Sequence, residues 1–154
     1  MSVSLKGPWS AEQISEFLHD SVFPLRLACV GADGFPRVVS VWFQYDQGRF
    51  ICASHQGSQL VAMLRESNKV GFEVAPNQPP YCGVRGQGLA ALSSEGAGEA
   101  LDGLLQRYLG GSNSSLGKWL LSRRDEEVLI TVKPERIFSW DYRERMEDTK
   151  PGAG

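Results

Sequence analysis
The sequence predicts a mainly β fold: a six-stranded antiparallel barrel with peripheral helices. Three observations carry that reading. Six runs rich in β-branched and aromatic residues recur at short, regular spacing, each closed by turn-forming residues. Helical stripes are fewer and fall mostly late, so strands and helices do not alternate one for one, which disfavours a doubly wound parallel sheet. A chain of 154 residues, 42% hydrophobic and 22% charged, also suits one domain over 1–154 with a single sizeable core.

Residues 1–8 read as a leader. Ser10 then caps a short amphipathic helix over 10–20, where Ile14, Phe17 and Leu18 recur at intervals of three and four. Strands near 23–31 and 35–45 flank Gly31-Ala32-Asp33-Gly34, whose Asp-Gly pair readily supplies the positive φ of a tight turn. Pro36 opens the second strand, where no ladder donor is lost, and Arg37 sets a permanent cation beside it. Asp46-Gln47-Gly48 turns the chain into a third strand, 49–53. A helix runs from Gly57-Ser58 to about Glu66, and a fourth strand covers 69–75. After the proline loop 76–80, a fifth strand spans 81–92. Its Gly83, Gly86 and Gly88 point to a bulge, a barrel bend, or close approach of another backbone or ligand. Leu101, Leu104, Leu105 and Tyr108 place a helix over 95–109, with packing as their role, and a shorter helix covers about 115–123. The last strand is 127–142, with a possible kink at Lys133-Pro134, and 147–154 reads as a disordered tail.

A net charge of −2 without a long basic run argues against a broad nucleic-acid or anionic-membrane footprint. Cys29, Cys52 and Cys82 are odd in number and widely spaced in strand-like runs, as expected of reduced, buried thiols. There is no CxxC pair, and His19 and His55 lie far apart, so no metal site is expected. The sequence holds no secretory signal and no apolar stretch near the roughly 20 residues that span a bilayer. A cytoplasmic protein is expected.

Four features stand in order along the chain. They are Arg37-Val38-Val39-Ser40-Val41-Trp42-Phe43, the Ser54-His55-Gln56-Gly57-Ser58 turn, Tyr81-Cys82-Gly83-Val84-Arg85-Gly86-Gln87-Gly88, and Ile137-Phe138-Ser139-Trp140-Asp141-Tyr142. This set resembles the flavin-binding split-barrel family related to pyridoxamine 5′-phosphate oxidase, over about residues 10–143. The resemblance implies a six-stranded split barrel that forms a homodimer, with flavin mononucleotide (FMN) in a cleft between subunits. It places Arg37, Val38, Val39 and Ser40 along the ring and ribityl chain, and Ser54, His55, Gly57 and Ser58 at the phosphate. Arg37 is also implied as a phosphate cation. Trp140 matches the aromatic that reaches the flavin from the partner subunit. The phosphate assignment makes physical sense, because the N–H groups at a helix start favour an anion.

The sequence departs from the family at two points. Where relatives commonly carry a lysine just after the Gly-Ser pair, this chain has Gln59 and Leu60. Losing a charge-assisted hydrogen bond of about 1.5–3 kcal/mol weakens binding roughly ten- to hundredfold, so the protein can be purified empty. Arg65 and Arg85 are possible substitutes. The chain also lacks the C-terminal Arg and His with which true pyridoxamine phosphate oxidases grip their substrate, so vitamin B6 oxidation is not expected.

Plainer roles stay open for the same residues: Arg37 as a solvent-facing strand cation, His55 as an exposed loop histidine, Trp42 and Trp140 as core or dimer-interface aromatics. No catalytic acid–base pair can be named, which matters less where a flavin carries the redox chemistry. The expected function is an FMN-binding oxidoreductase acting on an unidentified small molecule. The alternatives are a deazaflavin-dependent reductase, or a non-catalytic module that sequesters flavin, deazaflavin or haem.

Overall fold
In the computed structural model, which describes residues 3–147, eight strands curl into a half-barrel flanked by four helices. The strands are β1 (Ser4–Lys6), β2 (Leu25–Val30), β3 (Pro36–Val41), β4 (Gln44–Asp46), β5 (Arg49–His55), β6 (Lys69–Val74), β7 (Cys82–Ser93) and β8 (Glu127–Asp141). The helices are α1 (Ala11–Asp20), α2 (Gln59–Glu66), α3 (Ala97–Leu109) and α4 (Ser115–Ser122). Sheet order is β3-β2-β6-β7-β8-β5-β4, antiparallel throughout, with β1 added beside β8. The split-barrel class and its helical flanks are as expected, and the strand count is higher by two.

Each extra strand has an identifiable cause. The leader expected at residues 1–8 is instead structured from β1 onward. β8 pairs with β7 along its length but with β5 only over Glu127–Val132, so its edge near Arg136–Phe138 is open. β1 fills that edge in parallel, Ser4 opposite Arg136 and Lys6 opposite Phe138. The Trp9 N–H then donates to Ser139 Oγ at 3.1 Å and the indole Nε1–H to Asp141 Oδ2 at 3.3 Å. The second strand, expected as one piece over 35–45, breaks at Trp42-Phe43. The Tyr108 hydroxyl of α3 accepts the Phe43 N–H at 3.2 Å and donates to the Phe23 carbonyl at 3.0 Å. Trp42 stacks on the Tyr108 ring at 5.0 Å. A partner from another element has replaced the ladder there. The disordered tail expected over 147–154 lies outside the described residues from 148 onward.

Local chemistry accounts for the remaining elements. Ser10 and Gln13 form a reciprocal capping box that starts α1, whose Ile14 and Leu18 are buried in the core. The hairpin turn closes with Gly31 N–H to Phe35 O at 3.0 Å, and Gly34 takes φ +83°. β7 shifts register between Gln87 and Gly88, opposite Pro134, so the bulge and the proline kink are one feature. Phe43, Phe50, Phe72, Val84 and Ile130 are buried at the centre. All three cysteines are free and buried, and burial pushes the Cys52 thiol up to about 12.

Asp141 ties the chain ends together and makes them sensitive to acid. Arg143 forks onto its carboxylate at 2.9 and 2.7 Å, and with the Arg143 backbone N–H and the Trp9 indole this holds its pKa down to about 2. The folded state therefore binds fewer protons than the unfolded chain below the ordinary aspartate pKa of about 4. The stabilisation is complete above about pH 4 and is lost as pH falls toward 2, amounting to about 1–2 kcal/mol after screening. Urea midpoints measured from pH 5 to pH 2.5 should fall less steeply in Asp141→Asn than in the natural chain.

Candidate functional site
A cavity of about 730 Å³ opens between β3, the end of β5, the start of α2, and the α3–α4 pair. That volume is in the range of small-molecule and cofactor pockets. One wall is Arg37, Val38, Val39 and Ser40 from β3, and a second is Ser54, His55 and Ser58 around the β5–α2 turn. Leu101 and Leu104 of α3 and Leu116 and Leu120 of α4 line the far side, where Leu116 is 46% exposed. Seven of the nine cofactor-binding residues expected from sequence thus line one cavity. Gly57 sits in the turn without lining it. Trp140 lies elsewhere, on β8, where the Arg85 guanidinium lies 5.6 Å from its ring and 4.7 Å from that of Phe138. Arg85 and Phe138 line a second hollow, shared with the first only through Val38.

The helix start differs by one to two residues from the sequence expectation. Ser58 is the N-cap: its Oγ accepts the Val61 N–H at 3.1 Å and the Ser54 hydroxyl at 2.8 Å. The Gly57 N–H is taken by His55 Nδ1 at 3.0 Å and the Ser58 N–H by the His55 carbonyl at 2.9 Å. The donors left over are the N–H groups of Gln59 and Leu60, which have no partner among the described residues. Because His55 Nδ1 accepts a hydrogen bond, the ring proton sits on Nε2, which lies 2.6 Å from Glu126 Oε2. Both ring nitrogens of His55 are engaged, and its visible task is to shape the turn.

Arg37 is engaged as well. Its Nη2 lies 2.8 Å from Asp33 Oδ2, within the hairpin turn, with about half of each side chain exposed. Asp33 also accepts the Phe35 N–H at 3.1 Å; that bond and the Arg37 charge hold its carboxyl below the usual range.

Comparison with known proteins places this arrangement. The family model described as pyridoxamine 5′-phosphate oxidase matches residues 10–141. The chain belongs to the pyridoxamine 5′-phosphate oxidase family. Among solved structures it is similar to a conserved hypothetical protein of Mycobacterium tuberculosis, at 25% identity and TM-score 0.75, covering 90% of this chain and 88% of that one. It also shares its fold with an F420 reductase, at 23% identity and TM-score 0.68, over 79% of this chain and 94% of that one. HutZ, the haem storage protein of Vibrio cholerae, has the same fold at 18% identity and TM-score 0.64, over 83% and 92%. No curated protein matches the chain in sequence.

Within this fold, Arg65 and Arg85 do not line the main cavity. Sequence reading missed part of the cavity's lining: Leu116, Leu120, Arg123 and Glu127, with Leu101 and Leu104 taken only as packing. Glu127 left one signal: it is the last of three acids, Asp125-Glu126-Glu127, and abuts the apolar run Val128-Leu129-Ile130. It is 8% exposed, the one buried charged residue among those described.

Proposed function
We propose that this chain is an FMN-binding oxidoreductase-like protein acting on a small molecule, and that it is not a true pyridoxamine phosphate oxidase. The observation that carries the reading is the single cavity in which the β3 wall, the Ser54–Ser58 turn and the unpartnered N–H groups of Gln59 and Leu60 converge. The hydroxyls and N–H groups suit the phosphate, Arg37 adds a cation, and Val38 to Ser40 line the ring or ribityl chain. When bound, the flavin supplies two-electron transfer. The protein's residues orient it and exclude water from one side.

The site is completed by a second copy of the chain. Support comes from the apolar sheet face around the second hollow, where Val38 is 71% exposed and Phe138 38%. Trp140 stands beside that face and is offered to the partner's flavin. No helix among the described residues is long and apolar enough to cross a membrane, and a cytoplasmic setting fits the three free cysteines.

Titration of the purified chain with FMN should quench flavin fluorescence at one flavin per chain, with a dimer in sedimentation. Absence of quenching with excess flavin would sink this reading. A carrier for haem or deazaflavin is the second reading. It is favoured by the weakened phosphate end, where Leu60 replaces a lysine and Asp33 holds Arg37, and by the haem storage and F420 reductase neighbours. Haem titration, read by a Soret shift, separates it from the first.

Asp33→Asn keeps the acceptor for the Phe35 N–H but removes the charge that holds Arg37. An exposed pair of this kind is worth about 0.2–1 kcal/mol. FMN affinity should therefore rise about two- to fivefold, with the dissociation constant as the measurement.

A further inference from the structure
The outward face of the sheet carries the second hollow, of about 790 Å³, and the ladder registers explain its shape. One row across the sheet runs Val38, Ala28, Gly71, Gln87 and Arg136, each opposite the next. The row beside it runs Ser40, Arg26, Glu73, Arg85 and Phe138. Residues opposite one another share a face of the sheet, so Ala28 and Gly71 leave a depression between taller side chains.

The charge here runs against that of the chain. The sequence is net −2, whereas three arginines, Arg26, Arg85 and Arg136, and one acid, Glu73, line the hollow and make it locally positive. Glu73 stands between Arg26 and Arg85 in the ladder but forms an ion pair with neither. None of the three arginine side chains makes a hydrogen bond or ion pair among the described residues. Arg85 is steadied instead by rings, its guanidinium lying 4.7 Å from that of Phe138 and 5.6 Å from that of Trp140. Charges of one sign around a concave surface focus its potential, and guanidinium forks match carboxylate and phosphate groups.

We propose that the hollow binds an organic anion. Arg26, Arg85 and Arg136 share its carboxylate or phosphate, and the surface of Val38 and Phe138 takes its apolar body. The site goes beyond the FMN reading, because its lining shares only Val38 with the main cavity. It also bears on the proposed dimer. A two-fold interface through this face sets like patches against each other, and an anion in each hollow relieves the repulsion between them.

The probes are 2-naphthoate and 2-naphthyl phosphate, with 2-naphthamide as the neutral isostere, titrated calorimetrically into the flavin-free protein and into protein given excess FMN. Both anions should bind about tenfold tighter than the amide whether or not FMN is present, and the tighter of the two names the preferred head group. Arg85→Gln and Arg136→Gln should each weaken the anions about three- to fivefold and leave the amide unchanged, while Glu73→Gln should tighten the anions about twofold. In sedimentation, naphthoate should favour the dimer. Equal binding of anions and amide, displacement of naphthoate by FMN, or dissociation of the dimer by naphthoate overturns the proposal. An anion preference in a chain that never takes up FMN supports the site and defeats the flavin reading. FMN uptake without an anion preference does the reverse.

Discussion
Replacing Arg37 by alanine should weaken FMN binding about tenfold, the low end of the range for a charge-assisted hydrogen bond of about 1.5–3 kcal/mol. Two opposing features set that expectation. Leu60 stands where the family resemblance leads one to expect a second cation, so in the proposed FMN site Arg37 carries more of the phosphate's charge. Against this, its guanidinium is already shared with Asp33 at 2.8 Å, and binding must release or divide that contact. The double variant with Asp33→Asn discriminates the terms: the gain from Asp33→Asn should vanish once Arg37 is gone. An Arg37→Ala chain with unchanged affinity would leave Arg37 as a brace of its own turn and nothing more.

A large effect on stability is expected from Gly86→Ala. Gly86 lies in β7 opposite Ile137, and an added methyl would land on the backbone carbonyl oxygen of Arg136 and 2.7 Å from the Phe72 ring. Neither neighbour is a flexible chain end, so β7 and β8 must part, at a cost of about 3 kcal/mol. For a chain of this length that lowers Tm by about 6–12 °C. Gly71→Ala is the matched control, since its methyl meets Ala28 at an ordinary 3.5 Å. It should cost less than about 1 kcal/mol. If thermal melts show the two variants equally stable, the close approach of β7 to β8 is not what requires glycine at residue 86.

Much of the fold was legible because its signals are local. Ser10, the Asp33-Gly34 turn, the α3 leucines and the alternation Leu25, Leu27, Cys29 each report backbone geometry within a few residues. The gathering of Arg37 to Ser40 with Ser54, His55 and Ser58 was legible only through resemblance, since nothing in residue spacing brings β3 to the start of α2. The free N–H groups at the start of α2 fall one to two residues beyond Gly57-Ser58 because His55 satisfies those two itself, a contact that a sequence pattern does not contain.

By itself the sequence determined the four helices, most of the strand runs, the turn chemistry, and the three buried thiols, all consequences of side-chain period and local dihedral preference. Only the tertiary structure decided where β1 docks, why the second strand breaks at Phe43, and that Arg37 is held by Asp33. Those outcomes depend on which polar groups are left over once the sheet closes. A leftover donor, acceptor or charge is satisfied by whatever the fold brings near it, at any distance along the chain.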